Sequence, residues 1–144
     1  MKLKLSDYRS NTLWYKIQKL FGFTPKEGRD IKIKFHGYDD INMDITMSYI
    51  LTECVKRHKK YNTGYPLILE EDLQFMPEEL RVLQDPTNPD DDMAMKQWEW
   101  VLDEIIWAFD FHAREDCTLF DEKAHERFTN AMQLFIRYYT SMWL

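Results

Sequence analysis

The stretch Gln97–Asp116, QWEWVLDEIIWAFDFHARED, decides the fold. Wound into an α-helix of about five turns, it places Trp98, Val101, Leu102, Ile105, Ala108, Phe109 and His112 on one continuous face. Trp100, Trp107 and Phe111 widen that face from the side, while Glu99, Asp103 and Asp110 keep the opposite side in water. A helix apolar over so much of its circumference touches more than one neighbour, which predicts the central helix of a bundle. Its indole rings read as core rather than as a platform for a ligand, because each buries a large area and needs only one polar partner for its N–H.

Working outward, the closing stretch FDEKAHERFTNAMQLFIRYYTSMWL repeats this logic, with Ala124, Phe128, Ala131, Phe135, Tyr138 and Met142 on one stripe. Trp143 and Leu144 are expected to dock rather than fray. Towards the amino end, DITMSYILTECVKRHKKYN predicts a helix with Met43, Met47, Ile50, Leu51, Cys54 and His58 inward. The Asp39, Asp40, Asn42 and Asp44 cluster would cap it, and Lys56 to Lys60 suit the carbonyl end of its dipole. Gly64 and Pro66 close it. NTLWYKIQKLFGF predicts a shorter helix with Leu13, Ile17, Leu20 and Phe21 on one face, stopped by Gly22 and Pro25. In KEGRDIKIKFHGYDD, Ile31, Ile33 and Phe35 alternate with Lys32, Lys34 and His36, the pattern of a short extended arm near residues 31–36. No partner strand is evident for it.

The expected architecture is therefore all-α, a single compact helical bundle of about four main helices over residues 1–144. An acidic, loop-rich insertion at about 67–95 is broken by Pro77, Pro86 and Pro89, with PEELRVLQD as a short helix. Four glycines and five prolines leave little room for the turns of a β-sandwich. No apolar run is long enough to span a membrane, and MKLKLSDYRSN turns polar too early for a signal-peptide core, so a soluble intracellular protein is expected. Cys54 and Cys117 are too far apart for a C-x-x-C motif and read as reduced packing residues.

Residues 1–60 carry thirteen Lys or Arg against seven Asp or Glu, and residues 61–144 carry six against eighteen. This asymmetry argues against general nucleic-acid binding, since the acidic part repels phosphate. The motifs of chemistry are missing: there is no Gly-rich phosphate loop, nucleophile elbow or H-E-x-x-H. Glu122 and His125 make one Glu-x-x-His where a di-metal bundle needs two, and Asp85, Asp90, Asp91 and Asp92 lack the glycine and final glutamate of a calcium loop. No catalytic residue, metal or cofactor is assigned, and His112 is expected to be a hydrogen-bonded histidine at the core edge. The residues chosen as a candidate ligand site are Tyr38, Arg57, Lys59, Lys60 and Tyr65, which combine rings for stacking with cations for phosphate.

Several landmarks recur in order: LWYKIQKLFGF, GYDDINMD, KRHKKYNTGYP, QWEWVLDEIIWAFDF and NAMQLFIRYYTSMWL. Their order and spacing resemble a group of small proteins encoded by tailed bacteriophages, over most of the chain outside residues 24–36 and 67–95. The resemblance supplies no catalytic residues. It implies a viral protein at work in the cytoplasm of a bacterial host. The reading that follows is a non-enzymatic binding protein that inhibits a host defence system, by sequestering a small nucleotide-like signal or by occupying a host protein. The alternatives are an accessory structural protein of the virion or its assembly, and a metal-dependent enzyme using Glu122, His125 and His112. The abundance of aromatic residues also leaves room for a homodimer.

Overall fold

The structure, a computed structural model, describes residues 2–5, 12–22, 31–34, 37, 42–85, 87, 92–114 and 121–142. Helices dominate, as the periodicity predicted: the described residues hold four α-helices and one two-stranded ribbon. The chain groups into two compact units, residues 1–43 and 44–144, each described by itself.

In the first unit, β1 (Lys2–Leu5) pairs antiparallel with β2 (Ile31–Lys34) in the register Lys2↔Lys34, Leu3↔Ile33, Lys4↔Lys32 and Leu5↔Ile31. The extended arm thus forms a strand, and its partner is the KLKL segment near the start of the sequence. Residues 35 and 36 of the expected arm lie outside the described residues. Between the strands runs α1 (Leu13–Leu20). Thr12 caps it, its hydroxyl accepting from the Tyr15 N–H at 3.2 Å. At the far end Gly22 takes φ +77°, a conformation costly for any residue with a Cβ, and its N–H reaches the Lys19 carbonyl at 3.1 Å. None of the eight residues of α1 is buried, so its predicted apolar face is not a core face.

The second unit is a bundle of α2 (Met43–Tyr61), α3 (Asp92–Ala113) and α4 (Glu122–Tyr138), with 3-10 turns at Glu70–Phe75 and Glu78–Leu80 before α3 and at Tyr139–Ser141 after α4. Helix α3 is central, as its sequence required: Trp98, Val101, Leu102, Ile105 and Ala108 are fully buried, and Phe109 nearly so. Its neighbours run antiparallel to it. His58 near the end of α2 meets Trp98 near the start of α3, and Asp44 at the start of α2 meets His112 near the end of α3. Tyr138 at the end of α4 meets Trp98, and Phe128 meets His112.

Helix α2 departs in part from its predicted phase. Met43, Met47 and Cys54 are exposed, whereas Thr46, Ser48, Thr52, Val55 and His58 are buried. Small hydroxyl side chains take the inward positions and the longer thioethers turn outward. The predicted stripe is thus right in part: His58 is buried and Leu51 packs against the core, while Met43, Met47 and Cys54 face outward, and Cys54 is a free exposed thiol rather than a packing residue. The helix ends at Tyr61, shortly before Gly64 and Pro66, as expected. Cys117, Trp143 and Leu144 lie outside the described residues.

The acidic segment after α2 is irregular but contributes Ile68, Leu73 and Met76 to the core. Side chains satisfy its backbone. Gln97, fully buried on α3, donates through Nε2 to the carbonyls of Leu80 and Val82, both at 2.6 Å. Gln84 accepts from the Ile68 N–H at 2.8 Å, and Arg81 Nε donates to the Met76 carbonyl at 2.7 Å.

The segment is anchored to α4 by a buried carboxylate. Asp72, 2% exposed, accepts from the Tyr138 hydroxyl at 2.6 Å and from Arg137 Nη1 at 2.5 Å. Arg137 also pairs with Glu71 at 2.6 Å, and the Tyr138 oxygen accepts from the Leu69 N–H at 2.9 Å. Burial, reinforced by the hydrogen bond to Asp72, pushes the Tyr138 hydroxyl well above the usual phenol range, so it stays protonated and donates. Tyr138→Phe removes one donor from a buried carboxylate and the acceptor of a backbone N–H. It is expected to cost about 1–3 kcal/mol in urea unfolding, and an unchanged midpoint would show that the anchor contributes nothing.

Candidate ligand-binding surface

Helix α2 ends in the basic turn that the sequence singled out, with His58, Lys59 and Lys60 in its last turn and Arg57 just before. Helical spacing brings Arg57 beside Tyr61, four residues on. The guanidinium lies 5.3 Å from the centre of the Tyr61 ring, and Lys60 Nζ lies at the same distance. Tyr61 is 49% exposed, and both cations lie over its ring.

The other predicted residues separate from this pair. Lys59 turns towards α3 and meets Asp103 at 2.6 Å, which engages its charge in joining two helices. Tyr65 is half-buried against the core, where it packs rather than offering a ring to a ligand. Tyr38 lies outside the described residues. The structure thus brings Arg57 and Lys60 together, and adds Tyr61, which the sequence reading passed over. The Arg57–Tyr61 spacing was its available signal.

Beneath the basic turn the helix is tied to the core through His58. Its ring meets the Trp98 indole edge-on, with centroids 6.3 Å apart, and its Nε2 is buried without a hydrogen-bond partner. Burial lowers the His58 pKa below the ordinary value of 6.5, so the imidazole is held neutral. His112 at the opposite end of α3 behaves as predicted for a core-edge histidine: its Nε2 lies 3.0 Å from Asp44 Oδ2 and its ring stacks on Phe128. The Asp44 carboxyl is held below its usual range by the Ile45 N–H first and by His112 second.

A concave feature lies between α3 and α4, a groove of about 170 Å³ with Trp100, Ala131 and Leu134 among its lining residues, beside Lys123, Glu126 and Asn130. Arg127 crosses it. It donates from Nη2 and Nε to the two oxygens of Glu104 at 2.7 and 2.8 Å, and its guanidinium lies 4.0 Å from the Trp107 ring. Trp107 stacks in turn on Phe111, with centroids 5.0 Å apart. The hydrogen bonds to Glu104 raise the Arg127 pKa further, which fixes the cation in a structural fork. Nothing local in the sequence signalled this pairing, since its partners are 23 residues apart.

Among the described residues, no group of three or more His, Cys, Asp or Glu is arranged to hold a metal ion, and no helix is long and apolar enough to cross a membrane. Asp85 accepts from the Thr87 N–H and hydroxyl at 2.9 and 2.6 Å, an Asx turn within the loop, while Asp90 and Asp91 lie outside the described residues. The two units thus define a helical protein whose candidate site is a solvent-facing cation–aromatic cluster. Comparison with family models, with curated proteins and with solved structures finds no match.

The neutral, buried His58 makes acid stability a test of this geometry. Its folded pKa is lowered, so its contribution is complete above the unfolded value near 6.5 and is lost as pH falls below it. The urea midpoint of the native protein should fall more steeply between pH 7 and 5 than that of His58→Gln. Parallel profiles would mean that the imidazole is not held neutral.

Proposed function

We propose that this chain is a non-enzymatic binding protein whose ligand surface is the basic end of α2. The observation that carries this reading is the arrangement of Arg57 and Lys60 about the half-exposed Tyr61 ring. Such a cluster suits a nucleotide-like ligand. A planar base stacks on a tyrosine ring or on the guanidinium plane beside it, and the guanidinium and ammonium take the phosphate through charge-assisted hydrogen bonds. Taken with the resemblance to phage proteins, this supports sequestration of a small nucleotide-like signal of a defence system in the cytoplasm of a bacterial host.

A second reading, the occupation of a host protein, draws on the charge of the second unit. Residues 44–144 carry ten Lys or Arg against twenty Asp or Glu, which favours a basic protein surface.

Titration calorimetry with a panel of mono- and dinucleotides and with inorganic phosphate tests the first reading. A nucleotide that binds the native protein should lose at least tenfold in affinity, about 1.4 kcal/mol, in Arg57→Glu and in Tyr61→Ala. Lys59→Ala should change little, because Lys59 is engaged by Asp103. Equal affinity in all variants would remove this cluster from consideration, and no binding by any panel member would move the weight to a basic protein partner.

A further inference from the structure

Helix α1 is amphipathic and short, and four large apolar side chains on and beside its apolar arc are exposed, with Ile17 between them half-buried. Leu13, Ile17 and Phe21 follow one another at spacings of four, Trp14 and Leu20 flank them, and Lys19 stands on the opposite side with Lys16 at the margin. Leu13, Trp14, Leu20 and Phe21 are 74, 67, 82 and 72% exposed. Scattered apolar residues on a surface need no explanation, but a contiguous large patch marks an interface. An eight-residue helix is also marginal in water by itself, because helices this short draw most of their stability from packing an apolar face.

We infer that α1 is a self-association surface, and that its occupant is α1 of a second copy, packed across a two-fold axis. Area is the first argument. Four large apolar side chains exposed to this degree present roughly 500 Å² per copy, so two faces together bury about 1,000 Å², the threshold of a specific interface. The second is the placement of charge. Lys19 lies away from the apolar arc and Lys16 at its edge, so two arcs can meet without forcing lysine on lysine. In an isologous pair each position meets its symmetry mate or a neighbour of it, and Ile17, at the middle of the arc, falls nearest the axis.

Charge also sets the sign of the salt dependence. Residues 1–43 carry nine Lys or Arg against five Asp or Glu, and the ribbon register pairs Lys2 with Lys34 and Lys4 with Lys32. Two copies joined through this unit repel each other, so screening strengthens the dimer. Docking of α1 on an acidic partner surface would show the opposite trend.

Sedimentation velocity and self-crosslinking of the full chain test the inference. The native protein should reach twice the 17.6 kDa chain mass as concentration rises, more readily at 0.5 M than at 0.05 M NaCl. Leu20→Glu, at an exposed position that leaves the helical circular dichroism unchanged, should raise the dimer dissociation constant at least tenfold. With Cys54→Ser and Cys117→Ser as background, Ile17→Cys should oxidise to a disulfide-linked dimer while Lys19→Cys should not. A native protein that stays monomeric, a dimer indifferent to Leu20→Glu, association weakened by salt, or equal crosslinking at both positions would each overturn it.

Discussion

Trp98 is wholly enclosed, and the way it is enclosed sets the order of the second unit. The His58 ring stands edge-on to it from α2, and the Tyr138 ring does so from α4, at 6.3 and 6.0 Å. Edge-to-face contacts constrain the angle as well as the distance between rings. The constraint passes onward, because Tyr138 also donates to Asp72 and accepts from Leu69. One indole thereby determines where α2, α4 and the irregular acidic segment can lie. An ionised carboxylate held as deeply as Asp72 costs several kcal/mol unless its partners are well placed, so the polar end of this chain is as demanding of geometry as the aromatic end.

Much of this was legible in the sequence, and the parts that were not share a cause. The inward face of α3 could be read because Trp98, Val101, Leu102, Ile105 and Phe109 are apolar by type and helical by spacing. The face of α2 could be read only in part: Leu51 and His58 face inward as their spacing predicts, but Thr46, Ser48 and Thr52 look like surface residues by type and are buried. β2 was visible as an alternation, but its partner lies about thirty residues earlier, in a four-residue segment too short to signal a strand. Asp72 with Arg137 and Tyr138 bridges a still longer separation. Periodicity reports what a segment hides, and carries no information on which distant group receives it.

The candidate ligand surface shows the same division. Arg57 and Lys60 were recognised from composition, and their neighbour Tyr61 was within reach of the i, i+4 rule. Lys59 and Tyr65, adjacent and equally suitable by type, were removed from the cluster by contacts with α3 and the core. The helix sorts a run of like residues by the side each faces. Those turned inward hold the bundle together, and those turned outward remain for recognition.

The anchoring of Asp72 on α4 has a consequence for the order in which the chain is made. The acidic segment leaves the ribosome before α3, and α3 before α4, yet the donors that Asp72 requires, Arg137 and Tyr138, belong to the last turn of α4. Until that turn has emerged, Asp72 stays in water, and the Ile68–Met76 segment lacks the contact that fixes it. Synthesis therefore sets an order within the bundle: α2 and α3 are made first, and the acidic segment between them is fixed only when the end of α4 closes on it.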